Sequence, residues 1–255
     1  MYTITGDPTL VSVWQNLITA FAKRPFNFGG YSSIDDILDN LGVEVELIKG
    51  KEIFRIKKKE LDAIEKFWNN VFNSKEIEGF DIWKILDECN KAEKNKAEDN
   101  NDKDNNNEES ISVSLRGCYI PDKKVIKLYP DEMKDKYGGK RMEELIISTL
   151  AHETMHAYFN RPGHDIYPYL VIVEEPLAEF GMLLYLKETN CVFYDWAKAD
   201  TEGYKTCYRY GAKLMDLYIG GNEQFRSILE AYKPDVDFLL QLWMPLFNNN
   251  LTIKL

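Results

Sequence analysis

The chain has 255 residues, with 32 Lys and Arg against 42 Asp and Glu, for a formal net charge of −10. The excess is spread as −4, −3 and −3 over residues 1–90, 91–110 and 111–255, so no segment is basic enough to grip a phosphate backbone, and no nucleic-acid partner is expected. Hydrophobic residues make up 44 % of the chain and aromatics 13 %, enough for a buried core, which excludes a disordered chain.

The N-terminus, Met1 to Pro8, has no basic cluster followed by an apolar run, so no secretory leader is expected there. Leu10, Val13, Trp14, Leu17, Ile18 and Phe21 then recur at helical spacing, and Arg24-Pro25 should stop that helix. Ser33 can cap a short helix that ends at Leu41-Gly42. Residues 43–48 and 53–56 read as two strands around Lys49-Gly50-Lys51, a hairpin signal. Leu61, Ile64, Phe67, Trp68 and Val71 mark another helix. The triplet Lys57-Lys58-Lys59 before it reads as a solvated helix start rather than a nucleic-acid patch.

Residues 91–110 read KAEKNKAEDNNDKDNNNEES, with no aromatic and no branched aliphatic residue. Such a segment buries too little apolar surface to offset its ordering entropy. It is expected to be a polar linker between an N-terminal α+β module of unknown role (1–90) and a second module (111–255).

The second module opens with Gly117 to Ile120, a Pro121-Asp122-Lys123-Lys124 turn, and Val125 to Tyr129: strand, turn, strand. A helix is expected over 140–160, stopped by Arg161-Pro162-Gly163. Further helices are expected over 175–187, 203–219, 222–232 and 237–247. No stretch of the chain approaches the ~20 apolar residues that span a bilayer, so no membrane is expected. The four cysteines, Cys89, Cys118, Cys191 and Cys207, form no Cys-x-x-Cys pair. That spacing suits reduced thiols in a cytoplasmic protein.

The chemistry concentrates in the helix over 140–160. Two of the three histidines lie in His152-Glu153-Thr154-Met155-His156, an H-E-x-x-H pattern. Residues four apart share a helix face, so both imidazoles can bind one Zn²⁺. Glu153, offset by one position, can reach a zinc-activated water as its general base without binding the metal. Apolar Ile146, Ile147, Leu150, Ala151 and Met155 surround the pair, and buried imidazoles in such a wall need a partner.

A third ligand is required, with one position left for water. Eighteen residues separate His156 from Glu175, and Glu175 and Glu179 lie four apart at a helix start that Pro176 would favour. Glu175 is the expected ligand. Glu179 is expected to accept a hydrogen bond from a ligand histidine's other nitrogen. Glu174 or Glu179 itself, and His164 or Asp165, are the chemically acceptable alternatives.

Across about residues 111–190 these features resemble the zincin metallopeptidases, in particular the gluzincin branch of thermolysin-like enzymes and zinc aminopeptidases. That branch carries H-E-x-x-H followed by a Glu about twenty residues on, in a second helix. His152, Glu153, His156, Glu175 and Glu179 match it position by position. Phe159 and Pro162 stand where a metzincin would have Gly and His. The resemblance implies an α+β fold: a zincin-like catalytic domain with a small sheet, active-site helices and a mostly helical C-terminal part. It implies that the Gly117–Tyr129 strand pair supplies an edge strand that holds an extended peptide. It also implies zinc as cofactor, peptide-bond hydrolysis, and a protein or peptide as substrate. A non-catalytic zinc-binding sensor or protein-binding module is the alternative. An oxyanion beside the metal needs a donor. Tyr167 and His164 are the first candidates, with Tyr169, Tyr208, Arg209 and Tyr210 behind them.

Overall fold

A computed structural model describes residues 2–57, 110–137, 139, 141–161, 171–204, 208–221 and 223–231. The helices expected over 61–71 and 237–247, the polar segment over 91–109, and His164, Asp165, Tyr167 and Tyr169 lie outside these residues. In chain order the elements are β1 (Ile4–Gly6), α1 (Pro8–Ala22), α2 (Ile34–Leu41), β2 (Glu44–Leu47), β3 (Ile53–Lys57), β4 (Ser110–Ser114), β5 (Gly117–Ile120), β6 (Val125–Leu128), α3 (Pro130–Tyr137), α4 (Met142–Phe159), α5 (Val171–Glu188), α6 (Tyr194–Glu202), α7 (Arg209–Ile219) and α8 (Gln224–Glu230). The fold is α+β, a small mixed sheet with flanking α1 and α2 followed by a mostly helical C-terminal part.

Local chemistry sets the first helices. Asp7 caps α1 by accepting the N–H groups of Thr9 and Leu10 at 2.9 and 3.2 Å, and Pro8 occupies the first turn, where a missing N–H leaves no bond unmade. Ser33 Oγ accepts the Asp36 N–H at 3.0 Å to start α2, and Gly42 ends it.

The sheet order is β1-β2-β6-β5. β1 and β6 flank β2 in parallel, and β5 runs antiparallel to β6 at one edge. This corrects one expectation. β2 and β3 do not form a hairpin: β2 pairs with β1 and β6, and β3 pairs with β4 in a separate antiparallel ribbon. Both edges of β2 are taken, one by β1 and the other by β6, so no edge is left for β3. The Gly50 N–H at the supposed turn instead meets Asp131 Oδ2 at 2.8 Å. Ile18, Ile37, Val45 and Leu47 share one hydrophobic core with Ile126, Leu128, Leu150 and Leu183.

α4 lies in the middle of that core, packed on the β5–β6 edge, on α2 and on α5. From Leu145 to Phe159 all of its side chains but His156 are buried. It is therefore enclosed on every side rather than amphipathic. α5 crosses it where Gly181 stands: a Cβ there would sit 2.6 Å from Met155 Cγ. The missing side chain lets the two helices close together just below the histidines.

α5 also starts earlier than expected, at Val171, so Pro176 lies inside the helix instead of at its first turn. Gly203 ends α6, and the helix expected over 203–219 begins only at Arg209.

Candidate metal centre

α4 presents His152 and His156 toward α5, and α5 presents Glu174, Glu175 and Glu179 back. Three donor atoms converge. His152 Nε2 lies 3.1 Å from His156 Nε2 and 3.2 Å from Glu175 Oε2. His156 Nε2 lies 3.4 Å from the same Glu175 oxygen. Donors ~2.0–2.1 Å from one ion at tetrahedral angles would be about 3.3 Å apart. The triangle therefore fits a single zinc ion, and His152, His156 and Glu175 form a cluster able to hold one. Its geometry is of the gluzincin type, H-E-x-x-H with a downstream Glu.

No protein-family model, curated protein or solved structure matches the chain. The likeness therefore rests on the residues of the centre.

Electrostatics favour a cation here. Burial opposes charge on His156, but Glu175, Glu153 and Glu174 outweigh it and raise its pKa to about 9. His152 is raised in the same way, chiefly by Glu175 and Glu179. Burial also opposes the Glu175 charge, and the two imidazoles overcome it and hold its carboxyl well below the usual range. A cavity that draws protons onto two imidazoles will also draw a divalent cation.

Each imidazole turns its second nitrogen to a carboxylate of α5. His152 Nδ1 lies 3.5 Å from Glu179 Oε1, and His156 Nδ1 lies 3.9 Å from Glu174 Oε2. Glu174 facing His156 went unseen, because a run of adjacent acids gives no hint of which one turns inward.

Glu153 is buried beside the triangle. Burial pushes its carboxyl up, while His152, His156 and a backbone hydrogen bond from Tyr119 pull it down. The edge strand supplies that bond. The Tyr129 N–H donates to the Arg116 carbonyl at 2.9 Å, and Cys118 lies opposite Lys127. The alternate residues Gly117 and Tyr119 therefore turn their backbone groups away from β6, toward the cleft.

Gly117 makes this approach possible. A Cβ there would lie 2.6 Å from Thr149 Cγ2 and 3.2 Å from Glu153 Cγ. Gly117→Val should push β5 off α4 and destabilise the fold by about 1–3 kcal/mol. Adding Thr149→Ala should recover part of that loss. Thermal melts of the single and double variants measure both effects, and an unaltered melt for Gly117→Val would mean the strand gives way freely.

A cavity of about 230 Å³ opens beside the centre. Arg116, Gly117, His152, Glu153, Trp196, Asp200, Tyr204 and Tyr208 are among its walls. Of the oxyanion candidates within the described residues, Tyr208 reaches this cavity, its ring centroid 5.9 Å from that of His152. Arg209 and Tyr210 pair with each other at 3.1 Å, and Tyr210 is fully buried. Sequence reading missed Arg116, Asp200, Thr201 and Tyr204. Arg116 Nη1 reaches Asp200 Oδ2 at 3.4 Å, its Nη2 bonds the Tyr204 hydroxyl, and that hydroxyl donates to Asp200 Oδ2 at 2.9 Å.

Proposed function

We propose that the protein is a zinc-dependent metallopeptidase in which His152, His156 and Glu175 hold the metal and Glu153 is the general base. The converging His152, His156 and Glu175 donors carry this reading. When bound, zinc would polarise a substrate carbonyl and lower the pKa of an attacking water.

The chain's own residues do the rest. Glu153 takes the proton of the attacking water on its carboxylate and passes it to the leaving amine. The Tyr119 N–H keeps that carboxylate aimed into the cleft. Burial makes it a stronger base than a carboxylate in water. The outward backbone groups of Gly117 and the Tyr119 carbonyl offer an extended peptide a strand to lie against. Tyr208 joins Tyr167 and His164 as a candidate donor to the oxyanion.

A zinc that only supports a fold usually has four protein ligands. The described residues bring three donors together with a buried carboxylate beside them, which favours catalysis over a purely metal-holding module. No helix among the described residues is long and apolar enough to cross a membrane. Among the described residues Cys118 and Cys191 carry free thiols, and a cytoplasmic setting would keep them reduced.

The test is metal content together with cleavage of a mixed peptide library. The purified protein should bind about one zinc per chain, and chelation should stop cleavage. His156→Ala should lose stoichiometric zinc. Full occupancy in that variant would overturn the site, and a zinc-loaded protein that cleaves no peptide would overturn the activity.

A further inference from the structure

We propose that Thr201 is a positioning residue for the metal centre, acting through Glu179 to fix the orientation of His152. The inference rests on the zinc-binding reading above and concerns a helix, α6, that carries no ligand of its own.

Both histidines point Nε2 into the donor triangle, so with zinc held there each would carry its remaining proton on Nδ1. His152 Nδ1 is buried with no hydrogen bond of its own, and Glu179 Oε1, 3.5 Å away, is the carboxylate oxygen that faces it. A carboxylate can hold a ring only if it is itself held. Glu179 is 4 % exposed, and its other oxygen accepts a hydrogen bond from Thr201 Oγ1 at 3.2 Å. Thr201 is 2 % exposed, so water does not replace that donor freely. With Oε2 tied to α6, the carboxylate can turn only Oε1 toward the imidazole.

The end of α6 is itself braced against the edge strand. Asp200, next in sequence to Thr201, takes the Arg116 guanidinium at 3.4 Å, and the Tyr204 hydroxyl bonds both. The chain of contacts runs from Arg116 through Asp200 and Thr201 to Glu179 and His152. Thr201 Oγ1 to Glu179 Oε2 is the hydrogen bond of that chain nearest the imidazole, and a near-isosteric change of the Thr201 hydroxyl removes it without touching either charged group.

The experiment is competitive zinc titration against a chelator on the full chain, with Thr201→Val and Thr201→Ser, each in the native and the Glu179→Ala background. Thr201→Val should weaken zinc binding by about three- to tenfold, less than removal of Glu179 itself. Thr201→Ser, which keeps the hydroxyl, should bind as the native chain does. In the Glu179→Ala background Thr201→Val should have no further effect, because the hydroxyl then has nothing to hold. Three results would overturn the proposal: native affinity in Thr201→Val, an equal loss in Thr201→Ser, or the same loss with Glu179 absent. If Thr201→Val does not fold, Thr201→Ala is read in the same cycle. Failure of the native chain to bind zinc would overturn the metal site itself, and that result is visible before any variant is made.

Discussion

Glu153→Gln is expected to keep zinc bound and to lose peptide hydrolysis by ~10²-fold or more. The amide has the size and shape of the carboxylate, so the packing against Gly117 and Thr149 is preserved. Its oxygen can still accept the Tyr119 N–H. What it cannot do is take a proton from water. Because Glu153 is not among the three converging donors, the substitution leaves the metal's first contacts intact. The measurement pairs zinc analysis with turnover on a peptide that the native protein cleaves. Retained zinc with native turnover would remove Glu153 from the base role. Lost zinc would make it a ligand.

The His152 and His156 pair was legible because helical periodicity is a local property, and four-residue spacing fixes a shared face whatever surrounds it. The Ser33 cap, the Gly42 stop and the β5–β6 strand pair were legible for the same reason. Glu175 could be reached only through its spacing from the motif, since nothing local marks it apart from Glu174 or Glu179. The sheet order was not legible. β2 and β6 are parallel and far apart in sequence, so no turn between them announces the pairing, whereas Lys49-Gly50-Lys51 resembled a hairpin turn. α6 was missed because its sequence, YDWAKADTE, is mostly polar and shows no apolar stripe. Thr201 and Asp200 went unseen with it. Their role lies in which groups α6 meets in three dimensions, Glu179 on one side and Arg116 on the other, and a single chain of letters does not contain that.

The three glutamates of α5 should separate by their effect on zinc affinity. Glu175 places an oxygen 3.2 and 3.4 Å from the two Nε2 atoms, so Glu175→Ala removes a metal donor and should cost most of the affinity. Glu179 faces a nitrogen on the far side of the His152 ring, so Glu179→Ala should cost less, about 10–100-fold. Glu174 stands farther from His156 Nδ1, at 3.9 Å, and Glu174→Ala should cost least of the three. Chelator titration of the three variants side by side gives the ranking. If Glu179→Ala outranks Glu175→Ala, the ligand is Glu179 and the helix must rotate to present it. If none of the three matters, His164 or Asp165 supplies the third donor and the gluzincin reading fails. The order Glu175, Glu179, Glu174 follows from one helix face. Glu175 and Glu179 sit a turn apart along it, so one reaches past the imidazoles to the metal while the other stops behind the first ring. Glu174, one residue to the side, comes level with the second.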